Sequence, residues 1–303
     1  MNIAITGGNG FIGSYIKKMI LSMGHEVISI SRKKDANIKN TYSFDDFFNY
    51  KINSEINCFI HLASPNFDYS SNSSLREGIT ELTAKILLAL KKYNCKKFIF
   101  FSSAKVYGEP SLARVTYSED SKPKPVTDYG KEKLNAENHI INYAEKHELD
   151  YLIYRLPMVY GHNKKSNIGK LFKFIDRSFP LILFKNSNHL KKSLVSIENV
   201  KLYVKLNVEN LSTINNCVLN LTDKEALSLN NLVIGYKDIS HSKTIIISLP
   251  FFFLKLLVKV PIVRNIFLKL YGGFELGNTK INNLHNVNIT DTLEQLYKDL
   301  STT

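Results

Sequence analysis

The chain has 303 residues, of which 44% are hydrophobic, enough for one large α/β domain or for a domain with a smaller lobe. Its three cysteines are far apart and in no CxxC spacing, which argues against a disulfide framework or a metal site and favours a reducing, cytoplasmic location. The net charge of +13 comes mostly from lysines that stand singly or in pairs without interleaved aromatic residues, so nucleic acid is not an expected partner.

The beginning of the chain predicts a strand, a turn and a helix. Residues 2–5 are a short apolar run, residues 6–10 are rich in glycine, and residues 11–23 have apolar side chains at helical spacing. Backbone N–H groups and the positive end of the helix dipole converge on such a turn. The turn is therefore a candidate site for an anion.

Two overlapping glycine patterns occur in this turn. Gly8, Gly10 and Gly13 fit GxGxxG, and Gly7, Gly10 and Gly13 fit GxxGxxG. Glycine is needed where a pyrophosphate approaches the backbone, because a Cβ atom would block the approach. The position of the pattern between a strand and a helix predicts a dinucleotide-binding turn.

The second predicted strand, residues 26–31, is followed by basic residues. A dinucleotide fold that prefers NAD tends to place an acidic residue there, which binds the ribose 2′-hydroxyl. This chain has Arg32-Lys33-Lys34 instead, which suits the 2′-phosphate of NADP. We therefore expect NADP(H), with Arg32 as a ligand. NAD(H) is the alternative, because a solvated basic turn would have the same sequence.

Strands and helices alternate through the first half of the chain. Strands are predicted at residues 57–62, 97–102 and 151–156, and helices at residues 75–93 and 127–147. This alternation predicts an α/β fold of the Rossmann type, in which a doubly wound parallel sheet has helices on both faces.

Three residues form a candidate acid–base set. Tyr129 and Lys133 are four residues apart on a predicted helix, so they share a face. A phenol with its ordinary pKa near ~10 is a poor base at neutral pH, and we expect the nearby ammonium to lower that pKa. Ser103 is placed at the carboxyl end of a strand, where ligands bind in such folds, and can contact the same substrate oxygen.

The regular alternation ends near the middle of the chain. We predict that residues 1–161, with 193–224 returning to the sheet, form an NAD(P)-binding domain, and that residues 162–192 and 225–303 form a smaller α/β lobe over the substrate. The most apolar stretch, residues 249–260, contains two lysines and is too short to span a bilayer, so no stable membrane insertion is expected. We interpret it as an amphipathic helix on the lobe, with peripheral membrane contact as the alternative.

Together these segments resemble those of the extended short-chain dehydrogenase/reductases, of the NAD-dependent epimerase/dehydratase type, that act on nucleotide sugars. The resemblance is close over the first half and looser over the second. It is carried by Thr6-Gly-Gly-Asn-Gly-Phe-Ile-Gly13, His61-Leu-Ala63, Ser102-Ser-Ala-Lys-Val-Tyr-Gly108, Tyr129-Gly-Lys-Glu-Lys133 and Arg155-Leu-Pro-Met-Val-Tyr-Gly161.

The resemblance implies a role for each candidate residue. The catalytic residues are Ser103, Tyr129 and Lys133. The substrate-binding residues are Ser103, Lys105, Asn167 and Lys192. The cofactor-binding residues are Gly7, Gly10, Phe11, Ile12, Gly13, Arg32, Leu62, Ala63, Tyr129, Lys133 and Pro157. Lys192 stands where the family usually has an arginine that contacts the nucleotide diphosphate.

The resemblance leaves more than one reaction open. Ser103-Ala104-Lys105 lacks the acidic pair of sugar dehydratases, which leaves a reductase of a nucleotide-linked 4-keto(-6-deoxy) sugar or a 4-epimerase. We favour an NADPH-dependent reductase for bacterial surface-polysaccharide synthesis, because Arg32 suits a dissociable NADP(H), whereas an epimerase would retain NAD. The expected substrate is a UDP- or dTDP-linked sugar, and a homodimer is compatible with the sequence. A non-catalytic NADP(H) sensor is the last alternative, against which the intact acid–base set argues.

Overall fold

A seven-stranded sheet forms the centre of the first of two units in the computed structural model. The structure describes residues 1–34, 38–65, 70–161, 167–284 and 289–301. The first unit comprises Met1–Gly108, Lys122–Leu156 and Val200–Leu219. The second comprises Glu109–Ser121, Pro157–Asn199 and Asn220–Thr303.

The elements are numbered along the chain. The strands are β1 (Asn2–Thr6), β2 (Glu26–Ser31), β3 (Thr41–Ser43), β4 (Cys58–His61), β5 (Lys97–Ser103), β6 (Thr116–Tyr117), β7 (Asp150–Leu156), β8 (Met158–Tyr160), β9 (Leu181–Phe184), β10 (Lys191–Lys192), β11 (Leu194–Ser196), β12 (Cys217–Asn220), β13 (Leu227–Ser228), β14 (Ile246–Leu249) and β15 (Glu275–Leu276). The helices are α1 (Phe11–Ser22), α2 (Phe44–Phe48), α3 (Asn72–Leu75), α4 (Leu82–Leu90), α5 (Asp128–Ala144), α6 (Asn167–Asp176), α7 (Ile197–Glu209), α8 (Leu229–Ile239), α9 (Phe251–Leu257), α10 (Pro261–Tyr271), α11 (Thr279–Leu284) and α12 (Thr292–Ser301).

The large sheet has the strand order β12-β7-β5-β4-β1-β2-β3. Strands β1, β2, β3, β4, β5 and β7 pair with their neighbours in parallel. Residues 58–60 and 98–101 of the two middle strands are buried on both faces, as expected for a parallel sheet that helices cover on each side. The Rossmann-type α/β fold predicted from the sequence is therefore confirmed.

The helix predicted at residues 75–93 is divided in the structure. Helix α3 leads into a π-helical segment, Arg76–Glu81, and α4 follows it. A Cβ atom on Gly78 would lie 2.4 Å from Cγ of Pro65, so only a glycine lets the segment lie this close to the loop after β4. The wider π turn, a feature frequent at functional sites, thus lies against the carboxyl end of the central sheet.

The second unit is built from short paired strands and helices. Strand β8 pairs with β11, β9 with β14, β10 with β13, and β6 with β15. One apolar core surrounds Tyr160 and Tyr236, and another surrounds Phe184 and Leu254. No single large sheet organises this part of the chain as far as it is described, which explains why the regular sequence pattern ends before it.

Residues 109–121 lie in the second unit, although the sequence placed them in the cofactor-binding domain. Their strand β6 pairs with β15, and Nε of Arg114 donates to Oε1 of Glu275 at 3.2 Å. These partners are far away in the sequence, so local patterns gave no sign of the pairing. The segment that returns to the first unit is residues 200–219, which is shorter than the predicted 193–224.

His61, at the end of β4, is buried in a defined chain of hydrogen bonds. The Thr83 hydroxyl donates to the carbonyl of Ile79 at 2.6 Å, so it accepts from Nε2–H of His61 at 3.2 Å. The other ring nitrogen, Nδ1, then accepts from the Thr6 hydroxyl at 2.6 Å, and Thr6 Oγ1 accepts from the N–H of Ala63. These bonds select one neutral tautomer, and through it His61 joins β1, β4 and α4.

This burial predicts a loss of stability in mild acid. Desolvation, with a smaller effect of Lys133, lowers the pKa of His61 to about 3. The unfolded chain has a histidine pKa of about 6.5, so the unfolded state binds the proton first and stability falls as the pH drops from about 6.5 towards 3. Between pH 6.5 and pH 5 this loss is about 2 kcal/mol.

Urea unfolding at pH 7 and pH 5 measures this effect. His61→Gln should weaken the pH dependence of the unfolding free energy by about 2 kcal/mol, whereas the same change at exposed His139 should leave it as in the native protein. The same pH dependence in all three proteins would contradict the assignment.

Candidate functional site

The turn between β1 and α1 has glycines at positions where a side chain would clash. Gly7 has a φ of +71°, and a Cβ atom there would lie 2.8 Å from the backbone nitrogen of Ala63. A Cβ atom on Gly13 would lie 2.1 Å from the carbonyl oxygen of Gly7, and one on Gly10 would lie 3.2 Å from it. The glycines therefore let the turn fold tightly onto itself and against the end of β4.

Helix α1 begins beyond this turn without a capping side chain. Gly10 is the N-cap residue, and the first turn, which starts with Phe11 and Ile12, contains no acidic residue. The backbone N–H groups of that first turn and the positive end of the dipole can therefore face an anionic ligand. A Cβ atom at Gly13 would fill the same tight turn, so these residues fit the pyrophosphate of a dinucleotide.

Other predicted cofactor ligands lie at the same edge of the sheet. Leu62 and Ala63 follow β4, and their N–H groups donate to the carbonyl and the hydroxyl oxygen of Thr6, at 3.3 and 3.2 Å. Arg32 is exposed directly after β2. Because β1, β2 and β4 are parallel neighbours, these three residues border the glycine turn.

Ser103 and the start of α5 are brought together by a close backbone contact. Ser103 ends β5 and is the N-cap residue of the short 3₁₀ turn Ala104–Val106. Its Oγ accepts a hydrogen bond from the N–H of Lys105 at 3.2 Å. Helix α5 is capped by Thr127, whose Oγ1 accepts from the N–H of Gly130 at 3.3 Å. A Cβ atom on Gly130 would lie 2.6 Å from the carbonyl oxygen of Lys105, so this glycine lets the helix lie against the turn.

The phenol of Tyr129 is held at this contact. Burial raises the pKa of Tyr129 to about 12, and the hydrogen bonds between the phenol and the hydroxyls of Ser64 and Ser103 oppose this effect only in part. We expected Lys133 to lower this pKa, and that expectation was wrong. The Lys133 ammonium lies 5.8 Å from the ring centre and donates to the backbone instead. The phenol is therefore protonated at neutral pH and can donate a proton.

Lys133 is buried one helical turn beyond Tyr129. Its Nζ donates to the carbonyl of Phe101 at 2.8 Å and lies 4.8 Å from the ring centre of Phe100. Burial lowers the pKa of Lys133 to about 7, while the carboxylate of Glu137 acts in the opposite direction. Lys133 therefore changes its charge near neutral pH, and Glu137 supports the charged form.

A buried ion pair lies behind Lys133. Nη2 of Arg155 donates to Oε2 of Glu137 at 2.6 Å, and Nε contacts both carboxylate oxygens. Nη1 of Arg155 donates to the hydroxyl of Tyr107 at 2.9 Å. The hydroxyl of Ser102 also donates to Glu137. The network joins α5 to β5 and β7, so it fixes the helix that presents Tyr129.

The remaining predicted ligands belong to both units of the chain. Lys105 lies in the 3₁₀ turn next to Ser103. Pro157 follows β7 directly and is the first residue of its segment in the second unit. Lys192, on β10 of that unit, donates from Nζ to the carbonyl of Lys269 at the end of α10. The prediction for the side chain of Asn167 lies outside the described part of the structure.

Four residues of the site were missed in the sequence analysis. Ser64 follows the segment that contains His61, and only the fold shows that its hydroxyl contacts the Tyr129 phenol. Glu137 is four residues after Lys133, a spacing that could have indicated it. Arg155 and Tyr107 stand inside two of the motif segments, yet their pairing depends on the strand order of the sheet.

Comparison with known proteins supports the family resemblance that the sequence motifs indicated. The family model "NAD dependent epimerase/dehydratase family" matches residues 3–188. A putative UDP-glucose 4-epimerase from Methanocaldococcus jannaschii is 31% identical over 191 residues, which are 58% of this chain and 62% of that protein. The chain thus matches less than two thirds of the length of that relative.

A second relative and a solved structure match more of the chain. The N-acetyl-alpha-D-glucosaminyl-diphospho-ditrans,octacis-undecaprenol 4-epimerase of Escherichia coli O157:H7 is 24% identical over 263 residues, which are 82% of this chain and 76% of that protein. The structure of UDP-N-acetylglucosamine 4-epimerase from Bacillus cereus covers 100% of this chain and 99% of its own, with a TM-score of 0.79 and 17% identity. At that identity the likeness supports the fold.

The position of Glu137 predicts the titration of Lys133. Glu137→Gln removes the carboxylate that favours the ammonium, so the pKa of Lys133 should fall below its value of about 7. Nitrogen NMR of the lysine side chain, followed against pH, measures this shift. Glu132→Gln is the matched control, because Glu132 precedes Lys133 directly but bonds to Thr80. An unchanged Lys133 titration in Glu137→Gln would refute the coupling.

Proposed function

The chain belongs to the NAD dependent epimerase/dehydratase family, and we propose that it acts at carbon 4 of a diphosphate-linked sugar with a nicotinamide cofactor. One observation carries the proposal. The protonated phenol of Tyr129 bonds to Ser103 at the carboxyl end of a central strand, one helical turn from Lys133. We favour a nucleotide-sugar 4-epimerase, because both relatives compared above are described as 4-epimerases.

The cofactor would be held by the edge of the sheet described above. Gly7, Gly10 and Gly13 let the backbone fold into a tight turn at the uncapped end of α1, where a pyrophosphate would bind. Leu62 and Ala63 line the next strand end. The bound nicotinamide supplies hydride acceptance and donation. The protein supplies the binding groups and the acid–base chemistry.

Tyr129 is the proposed acid and base for the sugar oxygen at carbon 4. With a pKa of about 12 it holds its proton at neutral pH, so it can donate to an oxygen that gains charge during reduction. An epimerisation begins with the oxidative half, so the phenol would first release its proton to solvent, and the phenolate would then accept the proton of the sugar hydroxyl, which the phenol returns in the reductive half. Because both directions use one group, the phenol must lie where the sugar oxygen binds.

Ser103 and Lys133 support this proton transfer in different ways. The Ser103 hydroxyl bonds to the Tyr129 phenol and can orient the sugar oxygen. Lys133 has a pKa of about 7 and its Nζ lies 5.8 Å from the centre of the Tyr129 ring, so at neutral pH a large fraction is an ammonium beside the phenol that can donate to a polar group of the cofactor. Lys133 is therefore also a proposed contact for the nicotinamide ribose.

A reductase of a 4-keto sugar is the second candidate, and the end of β2 favours it. Arg32 is exposed there, and Ser31-Arg32-Lys33-Lys34 contains no acidic residue. A cationic residue at this place suits the 2′-phosphate of NADP, a cofactor that a reductase must exchange after each turnover. Tyr129 would donate its proton in the same way in either reaction.

The group that carries the sugar has two candidate identities. A UDP- or dTDP-linked sugar agrees with the relative described as a UDP-glucose 4-epimerase. A polyprenyl diphosphate is the other, because one relative is described as acting on a diphospho-undecaprenol sugar. In both cases a diphosphate is present, for which Lys192 is the proposed cation, although lysine lacks the bidentate geometry of arginine.

Replacement of Tyr129 tests the acid–base proposal. Tyr129→Phe should lower turnover by about 10²–10⁴-fold, the usual contribution of general acid–base catalysis, with cofactor binding little changed. The assay follows UDP-glucose, UDP-N-acetylglucosamine and a 4-keto-6-deoxy UDP-sugar by NMR of the products. Tyr143→Phe, on the same helix, is the control and should keep native turnover. Near-native turnover in Tyr129→Phe would remove Tyr129 from the mechanism.

Replacement of Arg32 separates the two candidate reactions by cofactor. If NADP(H) is the cofactor, Arg32→Asp should weaken the binding of NADPH far more than that of NADH, because it replaces a cation near the 2′-phosphate with an anion. Fluorescence titration with both reduced cofactors measures this, and Lys91→Asp, on a distant exposed site, is the control. Equal affinity of the native protein for both cofactors would count against NADP and so against the reductase.

A further inference from the structure

Helices α9 and α10 expose an unusual number of large apolar side chains. Ile262 is 88% exposed, Phe252 62% and Ile266 56%. Single exposed apolar residues are common on protein surfaces, but a contiguous group of them usually marks a binding surface. We call this group the α9–α10 face. Its exposed apolar members are Phe252, Phe253, Leu256, Val260, Ile262, Ile266 and Leu270.

The exposed face is not an unpacked core. Leu254 of α9 and Tyr271 of α10 are buried in one core with Phe184. Each helix therefore packs on the second unit through side chains other than the exposed ones. On α10 the exposed residues Ile262, Ile266 and Leu270 succeed one another every four residues, which places them on one stripe. The helices are thus folded in the second unit and still present an apolar surface outwards.

The same face is basic and has no acidic residue. Lys255, Lys259, Arg264 and Lys269 are exposed on the same two helices or between them, and residues 250–272 contain no aspartate or glutamate. A surface that combines apolar and cationic side chains complements an apolar layer beneath anionic groups. Two copies of this chain would not pair through it readily, because the pairing would bring like charges together without counter-charges.

A neighbouring pair of strands extends the apolar surface. Strand β14 runs directly into α9 and exposes Ile247, and its partner β9 exposes Ile182. The hydroxyl of Tyr271, at the end of α10, donates to the carbonyl of Ile182 at 2.6 Å. The strands and helices are therefore held together as one surface.

We propose that the α9–α10 face binds the surface of a lipid bilayer that contains anionic lipids. The apolar stripe would enter the region between headgroups and acyl chains, and the four cations would contact lipid phosphates. Within the described residues no helix is long and apolar enough to cross a membrane, so the helices lie along the surface rather than span it. The proposal concerns this face alone and does not depend on the activity proposed above.

Flotation with lipid vesicles tests this proposal without any substrate. The full chain should float with vesicles of phosphatidylcholine and phosphatidylglycerol, float much less with phosphatidylcholine alone, and be released by high salt, which screens surface charges. The double variant Ile262→Gln/Ile266→Gln should bind at least about ten-fold more weakly, because each change removes an apolar side chain from the interface. Lys255→Glu/Lys259→Glu should lose the preference for the anionic lipid.

Matched controls keep the test specific. Leu88→Gln and Lys91→Glu alter exposed residues at the end of α4 and just beyond it in the first unit, and both should bind like the native protein. Circular dichroism confirms that each variant is folded. Equal binding by all variants, or no flotation of the native chain with anionic vesicles, would overturn the proposal. A native dimer that Ile262→Gln/Ile266→Gln converts to a monomer would assign the face to a second copy and overturn it too.

Discussion

The buried ion pair between Glu137 and Arg155 is the interaction on which the candidate site depends. Arg155 belongs to β7 and Glu137 to α5, so the pair fixes the helix against the sheet with both charges out of water. Loss of one partner of such a pair typically costs about 3–5 kcal/mol, because the other charge is left buried and unpaired. Tyr129 and Lys133 precede Glu137 at four-residue spacing, so their positions follow from that of the pair.

Burial, rather than a neighbouring charge, decides the chemistry of Tyr129. This phenol loses solvent, and its hydrogen bonds with the hydroxyls of Ser64 and Ser103 offset the resulting rise of its pKa only in part. The Lys133 ammonium donates a hydrogen bond to the backbone carbonyl of Phe101. The site thus places a proton donor beside a lysine that is partly ammonium and partly neutral amine near pH 7. This arrangement suits reduction of a carbonyl and its reversal.

Much of the first unit could be predicted from the sequence, because its strands are short apolar runs between clear turns. Strand β2 matches the prediction at both ends, and Tyr129, Lys133 and Ser103 meet as their spacing indicated. The missed features depend on contacts between distant residues. The pairing of β6 with β15 and the bond from Ser64 to Tyr129 are examples. Helix α10 was not predicted either.

We propose that hydride reaches carbon 4 of the sugar from a nicotinamide while Tyr129 donates or accepts the proton. Deuterium tracing tests it most directly. The protein is given a 4-keto UDP-sugar and reduced nicotinamide cofactor that carries deuterium at the transferable ring position, and the product is examined by mass spectrometry and NMR. We expect deuterium bound to carbon 4 of the sugar, directly for a reductase and, for an epimerase, once its retained cofactor has been replaced by the deuterated one. Formation of a reduced sugar that carries no deuterium at carbon 4 would contradict this hydride transfer.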